Sequence, residues 1–374
     1  MTKLRLGIGG VLAAVALTAC GSSATPTTGS APKLPRATSG YQLVFLGDMS
    51  QTAQVVGIKM ALADYAKQHA DGPKVSVLFE DSTGDPVEAA PLAYAIKDDP
   101  TVLGVIGPTY SGESAAVNPI FDRAGLPEVS PSATNATLTQ TGWKTFHRLV
   151  ANDAGQGAAG ATYIKQAGKK RAFLIDDLEA YGAGLVGYVR KGLGHLVAGS
   201  DSVKVGQTDF ADTVAKVQAA HADAVYYGGY YDEAGPLVKQ LRDAGWTGLF
   251  VSGDGVEDAR FVKLAGAAAD GAVLTNGAGP APADFATEFA AAADGDSPGP
   301  NSTQAYDATT MLLQGILAGN TTRAKLQSYV TSYHGTGVSG PISFDAHGDI
   351  NDSIVWAYHV HDGQLDTDHP TPIK

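Results

Sequence analysis

Gly107-Pro108-Thr109-Tyr110-Ser111-Gly112-Glu113-Ser114 opens a stretch that runs to Thr134 and decides how the rest of the chain is read. An amphipathic run from Ala115 to Arg123 follows, and the stretch closes on Pro127-Glu128-Val129-Ser130-Pro131-Ser132-Ala133-Thr134. An apolar strand, Val102 to Ile106, leads into the first turn, and a short strand, Pro127 to Val129, leads into the second. Both turns are rich in small hydroxyl residues: Thr109, Ser111 and Ser114 in one, Ser130, Ser132 and Thr134 in the other. In an open parallel sheet the ligand crevice lies at the carboxyl ends of the strands. Helices that begin there point unpaired N–H groups and a positive dipole end into it. Small hydroxyl side chains add donors without filling the space. The stretch therefore reads as a seat for an anion, most simply a carboxylate. Two ordinary helix N-caps account for the same residues equally well.

The chain has 374 residues, enough for two domains with substantial cores. Its formal charge of -12 argues against nucleic acid as a partner, which needs a basic face, and against charge-driven docking on an anionic membrane. Residues 1–19 read as a targeting segment, with Lys3 and Arg5 ahead of an apolar run, Leu6 to Leu17, too short to span a bilayer comfortably. The run ends in Leu17-Thr18-Ala19-Cys20-Gly21, which resembles the lipobox of bacterial lipoproteins. The resemblance implies cleavage before Cys20, the only cysteine, and a diacylglycerol on its thiol, and two acyl chains suffice for stable attachment. The expected location is the extracytoplasmic face of the cell membrane; a plain secretory signal is the alternative. Residues 20–40 are rich in Ser, Thr, Pro, Gly and Ala, a composition that cannot bury a core and reads as a flexible tether.

From Tyr41 the chain alternates strand and helix. Strands are predicted at Tyr41 to Leu46, Lys74 to Phe79 and Val102 to Ile106, with helices at about Ala53 to Gln68 and from Pro86, capped by Asp85. Spacing of roughly 30 residues per unit is the signature of βαβ units and a parallel sheet. The alternation pauses at Thr141 to Asn152 and restarts with strands at Ala172 to Ile175, Ala224 to Tyr227, Leu249 to Ser252 and Ala272 to Leu274. Two such series predict two α/β lobes. Helices at about Gln304 to Ala318 and Thr322 to Tyr333 follow, then a hairpin of Gly340 to Phe344 with Val355 to Val360, and a loose polar tail over 361–374.

Several pieces occur in a specific order: G-D-M-S after the first strand, then D-P-T-V-L-G-V-I-G-P, S-P-S-A-T, N-D-A-G-Q-G, A-Y-G-A-G-L, Y-Y-G-G-Y and G-P-I-S-F-D-A-H-G-D. The set resembles the substrate-binding proteins of bacterial ABC importers in the branched-chain amino acid binding family, over nearly everything from Tyr41 to Val360. The resemblance implies the type I periplasmic-binding-protein fold: α/β, two doubly wound parallel-sheet lobes joined by three crossovers, with a ligand cleft between them. Crossovers are expected near Val150, Asn276 and Gly340, giving a first lobe of 41–150 with 276–338 and a second of 151–275 with 339–360. By position, Ser111 and Thr134 match hydroxyls on the ligand's carboxylate or ammonium. Thr109 and Ser132 match contributors of backbone groups. Tyr181 and Tyr230 match tyrosines that wall the cleft, and Asp254 matches an acid that pairs with the ammonium, where the family has Glu. Tyr110 and Ala133, within the same two turns, complete the candidate ligand-binding set. Two departures fall at the ligand's side-chain end. The segment from Ser50 to Gly57 is short and lacks an aromatic residue, and Tyr110 is large for its position.

The expected partners are a small amphoteric ligand, an amino acid or similar, and a membrane ABC permease, with the protein a monomer that needs no cofactor or metal. A sensor lipoprotein of the same fold is the second reading. An amidase or hydrolase using Asp254 and a serine is the third, and it lacks a histidine at a strand end beside Ser111 or Ser132. A structural cell-envelope lipoprotein is the fourth. Of Tyr226, Tyr227, Tyr230 and Tyr231, strand alternation turns some away, and Tyr230 is the one assigned to the cleft. Asp176 and Asp177 read as solvated or capping, and His147 and Arg148 as structural. His359 and His361 share a strand face without the further ligands a metal needs. Asp345-Ala346-His347-Gly348-Asp349-Ile350-Asn351-Asp352 fails as a calcium loop, with Ile350 where Gly is required and Trp356 where Glu is required.

Overall fold

The structure is a computed structural model that describes residues 40–374, so the expected signal segment, Cys20 and all but the last residue of the tether lie outside the described residues. The first series runs β1 (Tyr41–Gly47), α1 (Thr52–Gln68), β2 (Val75–Asp81), α2 (Pro86–Asp98), β3 (Val102–Ile106), α3 (Ser111–Ala124), β4 (Glu128–Ser130), the single-turn α4 (Thr137–Gln140) and β5 (Phe146–Arg148). The second runs α5 (Asp153–Gln166), β6 (Ala172–Asp176), α6 (Ala180–Leu193), β7 (Val197–Ser202), α7 (Ala211–Ala219), β8 (Ala224–Gly228), α8 (Tyr231–Asp243), β9 (Leu249–Ser252), α9 (Ala259–Ala265) and β10 (Val273–Asn276). Then come α10 (Ala283–Ala292), α11 (Ser302–Leu317), α12 (Arg323–Thr331), β11 (His334–Gly337), β12 (Gly340–Ser343), β13 (Trp356–His361) and β14 (Gln364–Pro372).

The five strands of the first sheet, in order β2-β1-β3-β4-β5, are all parallel. Strand alternation splits its side chains between two cores. Leu43, Phe45 and Ile106 pack with α1 and α11 on one face, while Val44, Leu46 and Val105 pack with α2 and α3 on the other. The second sheet, β14-β13-β10-β9-β8-β6-β7, is parallel from β10 through β7 and carries β13 and β14 antiparallel at one edge, and alternation splits its parallel strands between two cores in the same way. Ile175, Tyr227 and Phe250 face α7, α8 and α9, and Leu174, Tyr226 and Val251 face α5 and α6. These are helix-covered parallel sheets, the α/β doubly wound class.

Local chemistry sets the helix starts. Asp85 Oδ1 accepts the Val87 N–H at 2.7 Å with Pro86 at the first helical position of α2, and Asn152 caps α5 by accepting from Ala154 and Gly155. Gly107 has φ +113, and a Cβ there would stand 2.2 Å from the Leu46 carbonyl oxygen, so the turn into α3 requires glycine.

Several expectations need correction. The stretch Gly340–Ser343 does not pair with the strand after it. It pairs with β11, while β13 runs antiparallel to β10 and β14. Ile342 and Phe344 are buried in the core that holds β1, β3 and α11, so this segment packs in the first lobe, and the last passage between the sheets falls between β12 and β13 rather than near Gly340. The tail is strand β14, not loose, because β13 offers it a free edge. Besides β14, three strands have no counterpart in the sequence reading: β5, inside the supposed pause, β11, directly after the predicted helix to Tyr333, and β7, whose Val197-Ala198-Gly199-Ser200-Asp201-Ser202 is too polar to signal an edge strand by periodicity.

Candidate ligand cleft

The carboxyl ends of both sheets converge on one cavity of about 50 Å³. From the first lobe it is lined by Thr109, Tyr110, Ser111, Ser132 and Thr134, and from the second by Tyr181, Tyr230 and Asp254. Ala133 is not among the lining residues. Its methyl group is buried against Leu138 and Phe146, and its carbonyl accepts Arg148 Nη1 at 2.8 Å. The lobes meet across the opening, with the Tyr110 and Tyr230 rings edge to face at 5.2 Å and Asn135 Nδ2 donating to the Ala180 carbonyl.

On the first-lobe side, Ser111 begins α3, whose first N–H groups have no acceptor within the helix. The Ser111 Oγ accepts the Asn135 N–H at 3.1 Å, which leaves its proton to give. Thr134 Oγ is buried and unpartnered. Ser132 Oγ donates to the Thr109 carbonyl at 2.7 Å, fixing one turn against the other. Ser130 Oγ accepts from the Ala133 N–H at 2.9 Å, so part of this loop's donor set is used internally. Glu113, fully buried, accepts from the Tyr110 N–H at 2.9 Å and from Ser82, and burial pushes its carboxyl up to about 7.

On the second-lobe side, the Tyr181 hydroxyl donates to Asp254 Oδ1 at 2.8 Å and accepts from the Gly255 N–H at 3.0 Å. A Cβ on Gly253 would stand 2.4 Å from that hydroxyl, so glycine there allows the approach. Burial raises the Asp254 carboxyl from 3.8 to about 6, against the lowering pull of Tyr181 and Gln156. Asp254 keeps an edge on the cleft. Enclosure by protein on the remaining sides is what dominates its electrostatics.

Sequence reasoning missed Asp153. It opens α5, where an acid is ordinarily a dipole-favoured surface residue, yet here it is fully buried and both carboxylate oxygens lack a hydrogen-bond partner. Burial first, then the Asp254 charge, push it up to about 8; Thr134 nearby and Arg148 pull the other way. Of the two acids Asp153 is held the higher, so as the pH rises Asp254 is the first of the pair to take up negative charge. Gln51, Gln54, Tyr231, Glu257, Asp258 and Asn301 also line the cavity. The only advance signal for the two glutamines was their place in the short segment after G-D-M-S. Burial pushes Glu257 up to about 8, with Asn276 Nδ2 donating to it at 2.7 Å, and Asp258 is paired with Arg260. Tyr226 and Tyr227 are core residues.

Arg148 joins the site to the passages between lobes. Fully buried, it donates to the carbonyls of Ala133 and Asn135, to Thr139 and to Asp349 Oδ1 at 2.6 Å. Asp349 also accepts from Asn152 at 3.0 Å. The Asp345–Asp352 loop is thus a clamp between β12 and β13, with Asp345 turned onto its own backbone N–H groups. His359 and His361 stack at 5.6 Å, and among the described residues no group of three or more potential metal ligands occurs. No helix among the described residues is long and apolar enough to cross a membrane.

Two lobes facing one small cavity that carries a buried carboxylate and a hydroxyl-rich helix start is the plan of a solute receptor, and the comparisons agree. Residues 46–364 match the family described as "Periplasmic binding protein". The "Leu/Ile/Val/Thr-binding protein" of Salmonella typhimurium is 30% identical over 304 residues, 79% of this chain and 83% of that protein. The "Leucine-specific-binding protein" of the same organism is 34% identical, but the match spans only 60% of its length. Among solved structures, a leucine binding protein of Thermotoga maritima superposes with a TM-score of 0.79 at 26% identity, covering 88% of this chain and 98% of that one. A branched-chain amino acid transporter substrate binding protein from Streptococcus pneumoniae, in complex with isoleucine, superposes at 0.82 with 24% identity, over 89% and 100% of the two chains, and bears on the fold alone. With the family match spanning nearly the whole folded part, this chain belongs to the periplasmic binding protein family.

Proposed function

We propose that the protein is a lipid-anchored extracytoplasmic receptor that captures an amino acid, or a related small amphoteric molecule, between its lobes and delivers it to an ABC permease. The observation that carries this reading is the division of charge across one cavity, with the Asp254 carboxyl on one lobe and the start of α3 with Ser111 and Thr134 on the other. A zwitterion taken into a dry cleft needs both charges matched, since an unpaired buried charge costs several kcal/mol. The carboxylate is assigned to Ser111, Thr134 and the α3 N–H groups, and the ammonium to Asp254. Because the two sets lie on different lobes, full satisfaction requires closure, and hinge closure is the state a permease can read. The carbonyl-bound proton of Ser132 supports binding over hydrolysis, because a nucleophile gives its proton to a base.

A thermal-shift screen of the α-amino acids against their deaminated and decarboxylated analogues tests the reading. Saturating ligand raises the melting temperature, and the zwitterion should do so more than either half-molecule. No shift with any amino acid refutes it. The anchor is tested separately: Cys20→Ala should release the protein from the membrane and abolish palmitate labelling.

A further inference from the structure

The reading above assigns the two charged ends of the ligand and leaves the third corner of the cavity, its side-chain end, without an occupant. That corner is walled by Gln51, Gln54, Tyr231, Pro300 and Asn301, and among the described residues no Leu, Ile, Val, Met or Ala lines the cavity. The amide of Gln54 has one possible orientation. Ser132 Oγ already donates to the Thr109 carbonyl at 2.7 Å, so toward Gln54 it can only accept, and it takes Gln54 Nε2 at 3.2 Å. The Gln54 Oε1 is thereby turned away from Ser132. It is buried without a partner on a residue that is 2% exposed. Asn301 Oδ1, on a residue 9% exposed, is likewise buried without a partner. Gln51 is oriented by the same logic. Tyr110 OH donates to Asp48 Oδ2 at 3.0 Å and accepts from Gln51 Nε2 at 2.7 Å, so the remaining atom of that amide is an acceptor too.

Buried acceptors without donors are uncommon and call for an explanation. An alkyl side chain entering this corner would bury them for good, whereas one bearing N–H groups would satisfy them. The acids nearby do not ask for a second cation, since Asp258 is neutralised by Arg260 and Glu257 is engaged by Asn276. We infer that the cleft selects an α-amino acid whose side chain ends in a neutral hydrogen-bond donor, a primary carboxamide foremost, and that Gln54 and Asn301 are the residues that read it. The inference rests on the amino-acid reading and refines it. A site that hydrogen-bonds a polar side chain rejects the apolar analogue strongly, because its own buried groups are then left unpaired.

The test is calorimetric titration of the wild type, Gln54→Leu and Asn301→Gly with glutamine, asparagine, leucine, isoleucine and valine. Glycine at 301 keeps the left-handed backbone, φ +59, that the wild-type asparagine adopts. Wild type should bind glutamine or asparagine at least about tenfold tighter than leucine, and each variant should shrink that ratio by about tenfold. Tighter binding of leucine, isoleucine or valine by the wild type overturns the inference while leaving the amino-acid reading intact. Binding of none of the five by a folded wild type overturns the inference, and the amino-acid reading falls with it only if the thermal-shift screen of all the α-amino acids is also blank. A carboxamide preference unchanged in both variants overturns the roles of Gln54 and Asn301.

Discussion

Asp254→Asn should move two quantities in opposite directions, which a damaged fold would not. The carboxyl is raised by burial from 3.8 to about 6. A raised acid is worse off ionised in the folded state than unfolded. Its cost to stability is therefore absent below the unfolded value, grows between about pH 4 and 6, and is fully present at pH 7. Two units at 1.36 kcal/mol each give about 3 kcal/mol, an upper figure because the cleft-facing edge is partly solvated. Asparagine is isosteric, neutral and still accepts the Tyr181 hydroxyl, so the unliganded variant should melt higher at pH 7, with the gain gone below about pH 4. Binding should go the other way. Losing a charge-assisted bond to the ammonium costs about 1.5–3 kcal/mol, or about 10- to 150-fold in Kd. The assay pairs melting curves across pH with titration of the amino acid and its deaminated carboxylic acid. The acid, which never used Asp254, should lose little. Equal losses for both would remove Asp254 from the ammonium, and a lower melting temperature at pH 7 would refute the burial argument.

Affinity for the zwitterion should fall as the pH drops below about 6, approaching tenfold per unit, because protonating Asp254 removes the ammonium's counter-charge; titration at several pH values reads this directly. Asp153→Asn should flatten the stability profile between about pH 4 and 8, since the Asp153 cost rises across that window, and should leave affinity at pH 7 within about threefold because Asp254 takes up charge before Asp153. Arg148→Met should destabilise the protein by about 3–5 kcal/mol in chemical denaturation, since it strips donors from two buried carbonyls and a charge from Asp349. Gly253→Ala should displace the Tyr181 hydroxyl and, with a Cβ 2.5 Å from the buried Leu185 Cδ2, lower the melting temperature as well as weaken binding about tenfold or more, measured by melting and by titration of the folded variant.

Residue order alone determined the class of the fold and the place of the site. Apolar runs such as Val102 to Ile106, followed by small hydroxyls and a helix start, carry their meaning locally, because strand burial and helix capping act over a few residues. The same locality explains why the hydroxyl turns holding Ser111, Ser132 and Thr134 could be read as one crevice from the residues, whereas Tyr181, Tyr230 and Asp254, which line the same cavity, were pointed to only by the family resemblance. The tertiary structure alone decided what depends on partners distant in sequence. Asp153 looks like a surface acid at the start of a helix, and only the packing of α6 over it makes it buried and raises its carboxyl. Edge strands β7 and β14 take their conformation from a neighbour's open hydrogen bonds, not from their own polar composition. Gly340–Ser343 chose β11 over β13 because the apolar Ile342 and Phe344 find their burial in the first lobe's core, a competition no local pattern records. The orientation of Gln54, and with it the chemistry offered to a ligand, follows from one proton on Ser132 pointing at Thr109, a contact that exists only once the two turns are brought together.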